Sequence, residues 1–291
     1  MIKIRVPATS ANLGPGFDTL GIALKLYATF LVEESDNLII TGCPIAYANE
    51  HNLFYKTYVH RCHELNVTPK PLNIAINSDI PVARGLGSSA TFIIGGIVCA
   101  HALNNIPYTL EELAMAATKA EGHPDNVCPA IYGHLCASLI SGNAVLTQTF
   151  PIHPSLHFYF IVPDFELLTT LTRVALPVKV LLTDAVHNLS RLPLLLKGIE
   201  LGKQDLIDLC SQDTLHHPYR YPLIYQSESV LAILEEFGIK SAYISGAGPT
   251  IGFIQTHAVD VLAIQAKLNT LRHEFKLIEL PVETAGLKVE S

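Results

Sequence analysis

Alternation of hydrophobic and polar positions predicts two strands at the start of the chain. Ile2, Ile4 and Val6 are separated by single polar residues, which is the two-residue period of a half-buried strand. A longer alternation occupies the even positions from 20 to 32, all of which are apolar. The loop between them, PATSANLGPGFDT (7–19), is rich in proline and glycine, so we expect most of it to lack regular structure.

The same patterns predict the later elements and the fold class. Further strands are expected at 72–76, 157–163, 241–245, 251–255 and 276–282. Helices are expected at 52–66, from about 90, at 109–120, 228–237 and 259–275, with Pro177 and Pro193 as interruptions and with caps at Thr109/Glu112, Ser227 and Gly238. Strict β-α-β alternation is missing, so we predict an α+β fold of two domains, 1–155 and 156–291.

Composition limits the compartment. Of the 291 residues 49% are hydrophobic and only 15% are charged. The longest apolar runs, such as residues 90–100, are nevertheless about half of the ~20 residues that a spanning helix needs. The amino terminus reaches Pro7 before an apolar signal region could form. We therefore expect a soluble, cytoplasmic protein without a membrane partner.

Charge and cysteine content exclude further classes. The net charge is −7 and no cluster of lysine and arginine occurs, which argues against a nucleic-acid partner. The six cysteines form no CxxC pair and lie in apolar surroundings, so we expect buried reduced thiols. Among the thirteen histidines only His216 and His217 are adjacent, and adjacent side chains should point apart, which makes a histidine metal site improbable.

The stretch VARGLGSSATFIIGG (82–96) is a candidate anion site. Gly85 and Gly87 permit backbone angles and close approaches that a Cβ would forbid. Ser88 or Ser89 could cap the helix that follows, whose first-turn amides and dipole attract an anion. A tight turn with a serine cap and no ligand is the plain alternative. Neither the GxxxxGK[ST] loop nor a GxGxxG loop in a βαβ unit is present.

Five stretches together carry a family resemblance. PVARGLGSSAT (81–91) resembles the nucleotide loop of the GHMP kinases. PATSANLGPGFDTLG (7–21), EGHPDNVCPAIYG (121–133), SGAGPT (245–250) and DTLHHPYRYPLI (213–224) resemble stretches of the homoserine kinases within that family, in the same order. The resemblance thus extends over essentially the whole chain. It implies a two-domain fold with a mixed-sheet amino-terminal domain and a ferredoxin-like carboxyl-terminal domain, and often a homodimer.

The resemblance implies transfer of the γ-phosphoryl group of ATP to the side-chain hydroxyl of L-homoserine. The expected ATP-binding residues are Pro81, Val82, Ala83, Arg84, Gly85, Leu86, Gly87, Ser88, Ser89, Ala90, Thr91, Gly246 and Gly248. For Mg²⁺ we expect the hydroxyl of Ser89 and the carboxylate of Glu121, because both are hard oxygen ligands. Taken alone, Glu121 could equally be a solvated charge at a helix end.

The substrate would be a zwitterion with a hydroxyl group. Arg173 and Arg220 can hold its carboxylate by paired hydrogen bonds, and Asp18 can take the ammonium or approach the hydroxyl. Neutral polar contacts are expected from Asn12, His123 and Asn126. The candidate catalytic residues are Asp18, Glu121 and Arg173. Whether Asp18 acts as a general base, or the γ-phosphate itself accepts the proton, stays open at this point. Surface ion pairs for the arginines and a simple turn at 123–126 are the plain alternatives.

Three departures from the family pattern concern substrate contacts more than phosphate chemistry. In LLTTLTRVALP (167–177) the arginine is present as Arg173, but the preceding acidic residue and lysine are missing. Thr91 replaces an alanine, and His217 replaces the more usual glutamine. A kinase for another small alcohol and a silent ATP-binding relative are therefore the alternatives, although Ser88, Ser89 and Glu121 are all retained.

Overall fold

The strands of the protein fall into two sheets, each covered by helices. The computed structural model describes residues 1–290, without the side chain of Thr169. The strands are β1 (Ile2–Ala11), β2 (Leu20–Glu34), β3 (Ile39–Thr41), β4 (Leu72–Ser78), β5 (Leu135–Ser141), β6 (Ala144–Phe150), β7 (His157–Pro163), β8 (Tyr243–Ile244), β9 (Ile251–Gln255), β10 (Phe275–Glu279) and β11 (Lys288–Glu290). The helices are α1 (Leu53–Glu64), α2 (Ser88–Leu103), α3 (Leu110–Glu121), α4 (Val127–Tyr132), α5 (Thr169–Val174), α6 (Leu182–Leu201), α7 (Gln204–Cys210), α8 (His217–Arg220), α9 (Ser227–Glu236) and α10 (Val261–Leu268).

The two sheets differ in strand direction. The first has the order β11-β1-β2-β4-β3, with β5 paired to β2 and β6 paired to β5. It is mixed, because β3 and β4 are parallel while β1 and β2 are antiparallel. The second sheet is antiparallel, in the order β10-β7-β9-β8. This arrangement confirms the α+β prediction. The division into 1–155 and 156–291 stays a prediction: β7 begins the second sheet, but β11 returns to the first.

Strand β1 is longer than its alternation suggested. It continues through Ala11, because Ala8–Ala11 pair with residues 21–24 of β2 after a register shift between Pro7 and Ala8. The shift places the proline, which has no N–H to donate, where the ladder is already irregular. Residues 12–19 lack regular structure, which confirms the prediction for most of 7–19, whereas residues 7–11 belong to β1.

Helix α2 is buried on nearly all sides, as its composition predicted. Gly95 and Gly96 let α1 approach it closely. A Cβ on Gly95 would lie 2.8 Å from the ring of Phe54, and one on Gly96 would lie 2.3 Å from the backbone oxygen of the same residue. The glycines thus compensate for their low helix propensity by close packing.

Helix ends show where local rules held. Both hydrogen bonds of the Thr109–Glu112 capping box are present, and Gly238 follows α9 with φ +73°. Ser227 is not the cap of α9: Gln226 occupies that position, and the Ser227 hydroxyl donates to the Tyr221 carbonyl (2.8 Å).

Two helix predictions were wrong. Pro193 lies inside α6 rather than ending a helix, because burial of Leu195 and Ile199 on the following turn offsets the lost backbone hydrogen bond. Helix α10 ends at Leu268 instead of residue 275, and β10 already begins at Phe275, where the chain pairs with β7.

Several elements carried no predictive pattern. The sequence analysis missed β3, the β5–β6 hairpin and α4. All six cysteines are free thiols, five of them buried, as expected. Across the described residues, no helix combines the length and apolarity that crossing a membrane requires.

Candidate active site

One cavity of about 570 Å³ collects residues from both halves of the chain. Its wall includes the 82–89 loop, the start of α2, the end of α3 and the third glycine motif. The predicted residues that line it are Asn12, Asp18, Val82, Ala83, Arg84, Gly85, Gly87, Ser88, Ser89, Glu121, His123, Asn126, Arg173, Arg220 and Gly246. Pro81, Leu86, Ala90, Thr91 and Gly248 are not part of the wall. Sequence positions more than 200 residues apart therefore meet at one cavity.

Hydrogen bonds join the three glycine-containing motifs. The Thr9 N–H donates to the Leu86 carbonyl (3.2 Å), and the Ser245 hydroxyl donates to the Gly85 carbonyl (2.6 Å). Gly87, at φ +73°, is the N-cap of α2. Ser88 and Ser89 therefore lie in the first helical turn, and the expectation that one of them caps the helix was wrong. Gly87, Ser88 and Ser89 line the cavity, so the start of α2, whose first amides have no partner within the helix, lies at the cavity wall.

We expect Gly85→Ala to destabilise the protein by about 2–4 kcal/mol, because left-handed backbone and overpacking costs add. Gly85 has φ +75°, and a Cβ would lie 2.3 Å from the Ser245 carbonyl oxygen. Gly142→Ala is the matched control: φ is +59°, but nothing lies within 4 Å of its Cβ. That variant should lose only about 1 kcal/mol. Urea unfolding of both variants measures the difference, and equal losses would contradict the close contact.

Ser89 and Glu121 form a pair of oxygen ligands. The Ser89 hydroxyl donates to Oε2 of Glu121 (2.8 Å), bringing the first turn of α2 to the last residue of α3. Burial raises the pKa of Glu121, and the hydrogen bond from Ser89 offsets part of this rise. A cation between the two oxygens would stabilise the ionised carboxylate. The pair therefore has the donor chemistry that Mg²⁺ prefers.

Asp18 and Arg173 are joined by a two-fold ion pair. Nη1 and Nη2 of Arg173 donate to the two carboxylate oxygens of Asp18 at 3.1 and 2.8 Å. Burial lowers the pKa of Arg173, but the contact with Asp18 outweighs it, so the pKa is raised overall. Asp18 itself sits at φ +53°, where its N–H donates to the side chain of Asn12 (3.0 Å). Arg173, from the altered 167–177 segment, thus lines the cavity as the ion-pair partner of Asp18.

Arg220 is a buried cation that forms no direct ion pair among the described residues, although nearby carboxylates favour its charged form. It is 2% exposed, Nη1 donates to the Gly246 carbonyl (3.0 Å), and its guanidinium lies 5.1 Å from the centre of the Phe17 ring. Nε is buried without a partner. Burial, followed by the charge of Arg173, lowers the pKa of Arg220 to about 10. An anion in the cavity would relieve this cost.

The amide side chains are held by backbone and hydroxyl groups. Nδ2 of Asn12 donates to the Gly246 carbonyl (2.7 Å), the same oxygen that Arg220 contacts. The Thr9 hydroxyl donates to Oδ1 of Asn126 (2.8 Å). Both asparagines are buried and line the cavity, so their positions are fixed before any ligand arrives.

The sequence analysis missed Asp125, which lies on the cavity wall and is 2% exposed. Its carboxylate is hydrogen-bonded to Nδ1 of His123. Burial lowers the pKa of His123, but Asp125 raises it by more, so the net pKa is raised. Side-chain atoms of Asp18, His123 and Asp125 lie within 4.8 Å of one another. The stretch 121–133 contained this signal, but a turn explained the aspartate equally well.

One end of the cavity is apolar, and this end was also missed. Its walls include Cys43, Pro44, Tyr47, Leu53 and Phe92. The first three lie in the connection between β3 and α1, where the sequence has no periodic pattern. Only the folded chain shows that this connection lines the cavity.

The adjacent histidines do not point apart as predicted. The rings of His216 and His217 lie 4.4 Å apart, and Asp213 lies close to both. Most of their polar atoms have partners within the protein, but Nδ1 of His216 is buried without one. Nε2 of His217 accepts the Ile244 N–H (3.1 Å), and Asp213 accepts both histidine N–H groups of the backbone. These bonds favour a structural role over metal binding.

Sequence comparisons identify similar proteins along the whole chain. The GHMP kinases N terminal domain matches residues 52–134, and the GHMP kinases C terminal domain matches residues 193–271. A homoserine kinase of Clostridium botulinum (strain Okra) is 37% identical over 294 residues, covering 100% of this chain and 99% of the relative. One from strain Eklund 17B is 41% identical over 253 residues, covering 86% of this chain and 85% of the relative.

Solved structures are similar over the same extent. A crystal structure of homoserine kinase from Cytophaga hutchinsonii has a TM-score of 0.85 at 26% identity, with 99% of this chain and 97% of that chain covered. A mevalonate kinase from L. major has a TM-score of 0.72 at 15% identity, with 97% and 96% covered, and shows a shared fold alone.

Proposed function

Because the chain belongs to the homoserine kinases of the GHMP kinase family, we propose that it phosphorylates L-homoserine with ATP. The γ-phosphoryl group passes to the side-chain hydroxyl, which gives O-phospho-L-homoserine and ADP, a step on the route to threonine. Such a transfer depends mainly on positioning the two reactants and neutralising charge.

The observation that carries the proposal is the separation of charge within one cavity. The guanidinium of Arg220, whose Nε has no hydrogen-bond partner, lies on the wall, and so do the neighbouring carboxylates of Asp18 and Asp125. An α-amino acid needs a cation for its carboxylate and an anion for its ammonium. The phosphate-binding features of the 82–89 loop open into the same space.

We assign ATP to the side of the cavity built by α2. The first-turn amides of α2 and the Gly85–Gly87 turn would hold the phosphates, and the apolar end near Tyr47 and Phe92 would hold the base. Arg84 supports the loop: Nε and Nη2 donate to the carbonyls of Pro163 and Asp164 at 2.9 and 2.6 Å. The loop is thereby anchored to the end of β7.

Ser89 and Glu121 would hold Mg²⁺ beside the phosphates. The fit rests on two oxygen donors within 2.8 Å of each other and on a carboxyl whose pKa burial raises. When bound, the ion would neutralise charge on the phosphate oxygens. Glu121 thus gains a charge partner in exchange for its lost solvation.

We assign the carboxylate of the substrate to Arg220, because Arg173 already uses Nη1 and Nη2 on Asp18. The ammonium would lie between Asp18 and Asp125. The amides of Asn12 and Asn126, together with His123, would contact the hydroxyl end. A homodimer and a cytoplasmic location remain predictions.

The proton of the hydroxyl needs an acceptor. Both oxygens of Asp18 accept hydrogen bonds from Arg173, and we therefore give Asp18 the ammonium rather than the proton. The transferring phosphoryl group accepts the proton in this scheme. Asn126, which the Thr9 hydroxyl holds in place, can orient the attacking oxygen.

ADP release with Mg-ATP tests the proposal against a panel of L-homoserine, L-threonine, L-serine, mevalonate and galactose. We expect release with L-homoserine to exceed that with any other member by at least about 10²-fold, because only homoserine satisfies both charged groups and reaches the phosphate. Phosphorus NMR of the product checks the site of transfer. Turnover of mevalonate or galactose instead would support kinase activity but contradict L-homoserine as the substrate. A folded sample that binds ATP but releases no ADP would support a silent relative.

A further inference from the structure

The motif 213–224 contains more than Arg220, and its other polar residues do not touch the cavity. Asp213, His216 and His217 are buried, together with Asn188 of α6; these four residues are the Asp213 cluster. None of the four is among the described residues that line the cavity. Burying a carboxylate is costly unless hydrogen bonds compensate. The hydrogen bonds of Asp213 show which segments this buried carboxylate joins.

Asp213 holds the helix that carries Arg220. Its Oδ2 accepts the backbone N–H groups of His216 and His217, both at 2.7 Å. The Arg220 N–H then donates to the His216 carbonyl (3.0 Å), which closes the turn. This short helix has no other side-chain cap. Its orientation therefore depends on the carboxylate.

The same cluster holds the loop that carries Asp18. Nε2 of His216 contacts the Gly14 carbonyl (3.0 Å), and its ring centre lies 5.1 Å from that of Phe17. Nδ2 of Asn188 donates to Oδ1 of Asp213 (2.6 Å) and to the Pro15 carbonyl (3.3 Å). Loop and helix thus share one buried attachment.

Phe17 completes the link between the two substrate-binding charges. Its ring centre lies 5.1 Å from the ring centre of His216 and 5.1 Å from the guanidinium carbon of Arg220. Phe17 directly precedes Asp18 in the chain. A shift of the cluster would consequently move the guanidinium of Arg220 and the carboxylate of Asp18 relative to each other.

We propose that Asp213 is a positioning residue for the amino-acid substrate, acting through Arg220 and the 12–18 loop; this rests on the proposed function. It sets the distance between the group that binds the carboxylate and the group that binds the ammonium. The ATP side of the cavity is built by α2, α3 and the 82–89 loop, and the cluster reaches this side indirectly, because His217 accepts the Ile244 N–H and the next residue, Ser245, donates to the Gly85 carbonyl. Loss of Asp213 should therefore affect the two substrates unequally.

Asp213→Asn tests the proposal in the full chain. We expect the KM for L-homoserine to rise by about tenfold or more, with the KM for ATP within about twofold, because a displacement of about 1 Å in a positioned group is enough. Asp208→Asn is the matched control, because the Asp208 carboxylate accepts a hydrogen bond from the side-chain amide of Gln204 (2.7 Å) and does not line the cavity. It should keep both KM values.

Two further measurements separate positioning from general destabilisation. In a double-mutant cycle, adding Asp213→Asn to Arg220→Met should cost little beyond the single Arg220 change. The preference for L-homoserine over 3-aminopropan-1-ol, the same alcohol without the carboxylate, should fall in Asp213→Asn. Additive losses, or KM values for both substrates that rise together, would overturn the proposal.

Amide hydrogen exchange decides the matter independently of activity. Exchange should accelerate in residues 12–18 of Asp213→Asn and stay unchanged in Asp208→Asn; unchanged exchange at 12–18 overturns the proposal even if homoserine proves not to be the substrate. If Asp213→Asn does not fold, His216→Phe serves instead. That variant keeps an aromatic ring beside Phe17 and removes the hydrogen bond to Gly14, and the same results are expected. An inactive wild-type enzyme, by contrast, would count against the proposed function alone.

Discussion

Glu121→Gln is expected to lower kcat by about 10³-fold while leaving the fold intact. The amide keeps the shape and can still bond to Ser89, but it removes the negative charge that would hold the metal ion beside the phosphates. Losing one preorganised electrostatic contact in a phosphoryl- or acyl-transfer site costs about 10²–10³-fold. Steady-state kinetics at saturating Mg-ATP and L-homoserine measures the change.

Stability should move in the opposite direction. Burial raises the pKa of Glu121, so the folded state binds its proton more tightly than the unfolded state does. The ionised form therefore lowers stability at pH values above the raised pKa, and this cost disappears as the pH falls below the unfolded value. Glu121→Gln should accordingly unfold at the same temperature as the wild type or slightly higher.

Glu111→Gln, an exposed change in the first turn of the same helix, is the control for activity. Normal turnover of Glu121→Gln would show that the metal assignment is wrong.

Arg220→Met is expected to lower kcat/KM for L-homoserine by about 10²-fold or more, because charge-assisted hydrogen bonds to a carboxylate are worth about 1.5–3 kcal/mol each. The loss should appear mainly in the KM for homoserine, with the KM for ATP within about threefold. Methionine has similar length, so it fills the space beside Phe17 without the charge.

Here too stability and function are expected to oppose each other. Burial and the nearby Arg173 lower the pKa of Arg220 to about 10, so the charged form is less favourable in the folded protein than in the unfolded chain. That cost applies at all pH values below about 10, and Arg220→Met removes it. The variant should be as stable as the wild type without ligand, but L-homoserine should no longer raise its melting temperature. Arg191→Met provides the control, since Arg191 also donates to a backbone carbonyl, that of His187 (3.2 Å), away from the cavity. Thermal shift by L-homoserine that survives in Arg220→Met would contradict the assignment.

The sequence predicted elements well where a periodic pattern and a local cap coincided. The Thr109–Glu112 box and Gly238 are local hydrogen-bonding and steric rules, and both held. Pro193 broke such a rule, because packing on the next turn of α6 outweighed the missing N–H. The β5–β6 hairpin was missed, since Leu139, Ile140 and Leu146 are apolar although exposed, so its apolar positions lack the alternation of a half-buried strand.

The phosphate side that we propose could be predicted from the sequence because most of its residues are nearly consecutive. A glycine turn leading into a buried helix has the local backbone geometry of an anion site, and residues 82–89 contain the turn and the start of that helix. Ser89 and Glu121 came from the family resemblance, and the structure then placed their oxygens 2.8 Å apart.

The substrate side depends on tertiary structure, because its charges come from distant segments and their states depend on burial. The sequence by itself determined that Asp18, Arg173 and Arg220 exist and which chemistry each can perform. Only the folded chain decided that Arg173 is paired with Asp18, that Arg220 is buried without a direct ion pair among the described residues, and that Asp125 lies on the same cavity wall. The reason is physical: the cost of a buried charge, and the position of its partner, depend on the whole surrounding volume, whereas a turn or a cap depends on a few neighbouring residues.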